Sequence, residues 1–237
     1  MTFLTRKKIV LVIVEGSTDD IALGVALNEF FDKDSVFVHV IHGDITTRIG
    51  VNPENIISKV VDEIKKFAKK GPFKPSDFKQ VIHIVDTDGT YIPNNKIIEN
   101  VEFENPFYSM DGIVTYNVHG IIDRNNRKED NIYRLRTTGR VWNTIPYRIY
   151  YMSCNLDHVL HNKMNSSNEE KEDDAYEFAE KYKNNVDGFV KFICESPFSV
   201  TTSFKESWKF IEQDMNSLGR YTNLGICLQE EIKENKT

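Results

Sequence analysis

Val10-Leu11-Val12-Ile13-Val14-Glu15-Gly16-Ser17-Thr18-Asp19 and Val81-Ile82-His83-Ile84-Val85-Asp86-Thr87-Asp88-Gly89 decide how this chain folds. Each is an apolar, β-branched run that stops abruptly at carboxylates and a glycine. Such unbroken runs suit strands covered on both faces, as in a parallel sheet. Open α/β sheets bind ligands beyond the C-terminal ends of their strands. Two neighbouring strand ends would gather Glu15, Asp19, Asp86 and Asp88 into one set of hard oxygen donors. Such a set suits Mg²⁺ or Mn²⁺.

The flanking segments supply the rest of a βαβαβ order. Residues 8–14 read as the first strand and 19–31 as a helix, with Ser17 or Thr18 as its N-cap. A second strand covers 36–41. Over 53–70, Ile56, Ile57, Val60, Val61, Ile64 and Phe67 form one helical stripe, ended by Gly71-Pro72. A third strand covers 80–85. That alternation predicts an α/β fold with a mostly parallel sheet and right-handed crossovers. Fourth and fifth strands are expected at 113–118 and 148–152, with a polar loop or hairpin over 120–144 between them. A short helix is expected at 156–161 and a mobile acidic stretch at 165–174. Helices follow at 175–183, 186–194, 204–218 and 224–233. The expected division is an α/β catalytic domain, 1–163, with a basic insertion near 120–147, and a helical C-terminal region, 164–237.

Size and composition agree with an ordinary folded domain: 237 residues, 40% hydrophobic and 28% charged. No apolar run approaches the ~20 residues of a membrane span. The basic start followed by a strand is not a signal peptide. Cys154, Cys194 and Cys227 are widely spaced, which predicts neither disulfides nor a zinc site and fits a reducing cytoplasm.

The net charge of −6 conceals an asymmetry. Between Gly120 and Tyr150 stand Arg124, Arg127, Lys128, Arg134, Arg136, Arg140 and Arg148, opposed only by Asp123, Glu129 and Asp130. Tyr133, Trp142, Tyr147 and Tyr150 are interleaved. Arginines and aromatics in one segment suit a phosphate backbone with stacked bases. Arg124, Arg127, Lys128, Arg134, Arg136 and Arg140 are therefore the candidate nucleic-acid contacts. A solvated hairpin with inward-facing aromatics is the plainer alternative.

Glu15-Gly16-Ser17-Thr18-Asp19 and Asp86-Thr87-Asp88 together resemble the TOPRIM domain, in the form carried by overcoming-lysogeny (OLD) type nucleases and stand-alone RloB-like proteins of bacterial defence islands. Ser153-Cys154-Asn155-Leu156-Asp157-His158 loosely resembles the motif after the last strand of the RloB-like proteins. The resemblance covers roughly residues 8–162 and implies a Rossmann-like core with a C-terminal helical appendage. It implies a metal-dependent endonuclease acting on DNA or RNA, in an anti-phage or mobile-element setting. Glu15 would serve as general acid/base or metal ligand, Asp86 and Asp88 would hold Mg²⁺ or Mn²⁺, and Asp19 would assist. There is no G-x-x-x-x-G-K-[ST] motif, so any ATPase that such a nuclease works with would be a separate subunit.

Two other readings stand beside it. Asp86-Thr87-Asp88-Gly89-Thr90 also matches the haloacid-dehalogenase (HAD) phosphatases, in which the first aspartate is the nucleophile. Against it, that motif normally sits on a first strand, and Glu15-Gly16 is left without a role. The other is a non-enzymatic module that binds nucleic acid or a partner and keeps its acids for structure. His83, inside a strand, reads as a core residue. His158 and His161 share a helical face without a neighbouring thiol to complete a metal site.

Overall fold

The computed structural model describes residues 7–31, 34–41 and 43–236. Chain order begins with β1 (Ile9–Val14), α1 (Ser17–Phe30), β2 (Ser35–Val40), α2 (Ile56–Ala68) and β3 (Phe78–Asp86). Three short strands follow: β4 (Ile97–Glu99), β5 (Phe107–Ser109) and β6 (Gly112–Thr115). Then come α3 (Val118–Arg136), β7 (Arg140–Val141), β8 (Ile145–Met152) and α4 (Leu156–His161). The chain closes with α5 (Asn168–Tyr182), α6 (Val186–Glu195), α7 (Phe204–Ile211) and α8 (Leu224–Glu234).

The main sheet has the order β2-β1-β3-β8-β7. Its first four strands are parallel and β7 runs antiparallel at one edge. Side chains alternate across a strand, so each strand feeds two cores. Val10, Val12, Val14, Ile82, Ile84, Tyr150 and Met152 face α1, α4, α5, α6 and α8. Leu11, Ile13, Val81, Val85, Ile149 and Tyr151 face α2, α3 and α7. The result is three layers, α/β/α. The first of these cores includes residues from both sides of 163/164: Phe178, Phe189 and Leu224 belong to the same cluster as Val12 and Ile82.

Several expectations need correction. Residues 120–144 are mostly helix, not loop: 120–136 belong to the 19-residue helix α3. Only 140–144 form a hairpin arm and turn, with β7 antiparallel to β8. The inner face of α3 combines Ile121, Ile132 and Leu135 with the buried polar residues Asn125, Lys128 and Asn131. Polar residues at core positions hide a helical stripe from a hydrophobicity count. The expected strand at 113–118 is β6, which lies in a separate three-stranded sheet, β4-β6-β5. Gly112 allows that pairing, because a Cβ there would collide with the Lys96 carbonyl. The fourth strand of the main sheet is β8 instead.

Residues 165–174 are not a loose stretch either, since α5 starts at Asn168. Its N-cap Ser167 accepts from the Glu170 amide at 3.2 Å, and Glu170 accepts from the Ser167 amide at 2.8 Å. That reciprocal pair is a capping box. The helix expected over 204–218 ends at Ile211, and Asp214 adopts a left-handed φ of 49°. Residues 217–222 then lace back to the end of β8, through Ser153 N–H to Tyr221 O at 2.8 Å and Cys154 N–H to Ser217 O at 2.9 Å. No described helix is long and apolar enough to cross a membrane.

Placing α3 in the core has a measurable consequence. Ile132 is fully buried, so Ile132→Ala should cost ~2–5 kcal/mol in denaturant unfolding. Exposed Arg134, two residues on, should cost under ~0.5 kcal/mol when changed to Ala. Equal, small costs at both positions would contradict the helix's inward face.

Candidate metal centre

Every parallel strand of the main sheet is followed by a carboxylate. Glu15 follows β1, Asp44 lies beyond β2, Asp86 ends β3 with Asp88 just after it, and Asp157 stands in the first turn of α4 after β8. Glu15 feels Asp44, Asp86 and Asp88 electrostatically. Asp19 feels Asp157, and Asp86 feels Asp19. The strand order β2-β1-β3-β8 brings residues far apart in the chain to one sheet edge.

The loop after β3 is held rigidly. Thr87 N–H donates to Met152 O at 2.9 Å and Asp88 N–H to Cys154 O at 2.8 Å. The Thr87 hydroxyl donates to Ser217 O at 2.7 Å and accepts from Cys154 N–H at 2.9 Å. These bonds hold Asp88 at a left-handed φ of 48°, followed by Gly89 at 68°. An L-residue adopts that conformation only under such constraint. Gly89 is needed as well, because a Cβ there would press into Leu218.

One ammonium group organises the acids. Lys128 of α3 is fully buried and donates to Asp44 Oδ2 at 2.7 Å and Asp88 Oδ2 at 2.5 Å. Asp44 also accepts from the amide of Thr46 at 2.6 Å and from its hydroxyl at 2.5 Å. Desolvation alone would raise the Asp44 carboxyl; Lys128 and Thr46 overcome it and hold the group at about 2. Glu15, Asp19 and Asp86 lack such an ammonium bond. Burial, then Asp44, raise Glu15 well above its ordinary range against the pull of Lys128. Burial, then Asp19 and Asp88, raise Asp86. Burial raises Asp19 to about 6, although its carboxylate accepts from Gly16 N–H at 2.9 Å. That bond makes Gly16 the N-cap of α1, in place of the expected Ser17 or Thr18. At the far side Lys171 pairs with Asp157 at 3.1 Å.

Five carboxylates, Glu15, Asp19, Asp44, Asp86 and Asp88, therefore share this edge with Lys128 and Lys171 as the cations that act on them. Glu15 Oε1 is buried without a hydrogen-bond partner. A buried, unpartnered carboxylate oxygen among repelling neighbours is costly, and a hard dication would satisfy it. Oxygen donors of this kind are the class that Mg²⁺ and Mn²⁺ prefer. Among the described residues, no group of three or more His, Cys, Asp or Glu side chains is arranged to hold a metal ion.

Neither a family model, a curated protein nor a solved structure matches this chain.

The structure brings Glu15, Asp19, Asp86 and Asp88 to one edge, as their strand-end positions predict. It does not give the basic segment one outward face. Lys128, expected at a nucleic-acid surface, is enclosed between Asp44 and Asp88 because α3 packs on the sheet. Arg124 donates to Asp88 O at 2.8 Å and to the Tyr108 hydroxyl at 2.7 Å. Arg127 donates to Thr47 O at 2.8 Å. Arg136 pairs with Glu212 and lies over the Trp208 ring. Arg134 and Arg140 are exposed, with Arg140 bonded to Thr144 O at 2.8 Å. His83 is buried against the Tyr147 hydroxyl at 2.8 Å, and burial lowers it to about 4.

Asp44 and Lys171 escape a reading by motif, although Asp44 follows an apolar strand; Asp157 stands in the 153–158 stretch that resembles the RloB-like motif but is not singled out there.

The raised carboxyls predict a pH dependence. Asp19 titrates near 3.8 when unfolded and about 6 when folded, so the folded state holds the extra proton between those values. Stability from this group is greatest at low pH and falls as pH rises through that window; Glu15 and Asp86 act in the same direction. Asp44 runs the other way but titrates below the window. Bound Mn²⁺ should therefore raise the Tm at pH 8, by roughly 5 °C or more near 100 times its Kd, and much less at pH 5. Glu15→Gln should flatten both dependences in calorimetry. A Tm indifferent to Mn²⁺ at pH 8 would contradict the metal fit.

Proposed function

We propose that this chain is a metal-dependent phosphodiester hydrolase, a nuclease with a TOPRIM-like core. The observation that carries the reading is the adjacency of β1 and β3, which sets Glu15 against Asp86 and Asp88 with one carboxylate oxygen unpartnered. The order β2-β1-β3-β8, with an acid after β1 and an Asp-x-Asp at the end of β3, supports the TOPRIM resemblance.

Asp86 and Asp88 would hold Mg²⁺ or Mn²⁺, with Asp19 assisting. The cation supplies neutralisation of developing phosphoryl charge and acidification of bound water. Glu15, with its affinity for protons raised by burial, is suited to a proton-transfer role. Lys128 fixes Asp88, and through Arg124 the same loop is tied to the wall of the neighbouring cleft. DNA or RNA is the proposed partner, with a bacterial defence setting and a separate ATPase subunit as the resemblance suggests.

One observation favours a second reading. Asp86 ends the central strand of the main sheet, and an ammonium stands against Asp88, an arrangement that also suits an aspartyl-phosphate phosphatase. Beryllofluoride bound at Asp86 would identify that chemistry.

With Mn²⁺, the purified protein should cleave DNA or RNA oligonucleotides. Glu15→Gln and Asp86→Asn should each reduce cleavage by about a hundredfold or more while circular dichroism stays unchanged. Undiminished cleavage in both variants would refute the assignment.

A further inference from the structure

A cleft of about 630 Å³ opens directly beside Asp86 and Asp88. Its volume is that of a pocket for one small ligand. Another part of the lining comes from the segment leading into β5 and from β5 itself, where Phe103 and Phe107 stand with ring centroids 5.4 Å apart at 49°. Phe107 is 42% exposed, a large apolar ring left open to solvent beside a charged floor.

This part of the lining is fixed in place. Tyr108 N–H donates to Asn165 Oδ1 at 2.8 Å, and Asn165 Nδ2 returns a bond to Tyr108 O at 2.7 Å. The Tyr108 hydroxyl accepts from Arg124, whose other nitrogen donates to the Asp88 carbonyl. One guanidinium thus sets the distance between the aromatic wall and the acidic loop.

The charges around the cleft argue against a long polyanion. Duplex DNA carries about one phosphate charge per 1.7 Å of axis and needs a track of cations. Here Glu102 and Glu104 line the cleft and are exposed. Lys171 is paired with Asp157, Lys128 is enclosed, and Arg124 is bonded to Tyr108 and Asp88. A phosphate can be held at the carboxylate end only together with a cation. The rest of the lining includes a ring face and, at Asn105, an amide with a donor and an acceptor.

We infer that the cleft takes one unpaired nucleoside phosphate, its base stacked on Phe107 and its phosphate at the Asp86–Asp88 end. An unstacked residue of a single strand, or the mononucleotide that its cleavage releases, presents that chemistry; a base inside a duplex does not. Enzymes that handle a single base take it out of the stack into such a pocket. This rests on the proposed hydrolase reading, and it narrows the substrate to an unpaired unit.

The test is a binding titration with 2-aminopurine fluorescence in Ca²⁺. Three probes are compared: 2-aminopurine nucleoside 5′-monophosphate, a single-stranded oligonucleotide with the fluorophore at one end, and the same fluorophore inside a duplex. Saturable quenching by one or both of the first two, with the duplex at least tenfold weaker, is expected. Which of the first two binds more tightly separates the released mononucleotide from the strand end. Phe107→Ala should weaken binding by about fivefold or more, and Phe107→Trp should restore it. Equal binding of the duplex probe, no saturable binding of either unpaired probe, or an unchanged Phe107→Ala variant would overturn the inference. Loss of cleavage in Glu15→Gln alongside any of those results would leave the hydrolase reading standing without it. Intact binding with no metal-dependent cleavage would do the reverse.

Discussion

Repulsion among carboxylates gathered at one sheet edge is the constraint that the rest of this structure accommodates. Parallel strands all point their C-terminal ends the same way, so acids that follow them cannot avoid one another. Left alone, such a cluster would be driven apart or protonated. Lys128 opposes this from inside the protein, bonded to Asp44 and Asp88 at 2.7 and 2.5 Å. A fully buried ammonium is itself costly unless its partners are close and well placed. The Asp44 interaction with Thr46, the left-handed turn at Asp88 and the packing of α3 on the sheet all serve to place them.

The asymmetry among the acids follows. Asp44 has an ammonium and two Thr46 donors, and is held at about 2. Glu15 and Asp86 have no comparable partner and are pushed upward by burial and by each other's neighbours. One pole of the cluster is thus neutralised by the protein, and the other is left open. The proposed cation would sit at the open pole, where the unpartnered Glu15 oxygen lies.

Much of this was readable from the chain. The unbroken apolar runs before Glu15 and Asp86, and the stripe through Ile56, Val60, Ile64 and Phe67, locate β1, β3 and α2 because periodicity there reflects burial alone. The helix α3 was hidden because its buried face includes Asn125, Lys128 and Asn131, which serve the site and the α2-side loop. Its arginines look like a nucleic-acid surface in sequence. In three dimensions several act within the fold, as Arg124 does on Asp88 and Tyr108. A strand is legible at 113–118, but its place in the small β4-β6-β5 sheet is not, because local propensity does not specify a pairing partner. The Ser167–Glu170 capping box was present in the sequence and marks the start of α5 despite its acidic run.

The most direct test of the central claim is the location of Mn²⁺ by anomalous scattering in crystals of the protein soaked at pH 8. The predicted result is a peak at the open pole, bonded to Asp86 and Asp88 with Glu15 in contact directly or through water. A peak only at surface acids such as those of α5, or none at this edge at saturating Mn²⁺, would contradict it.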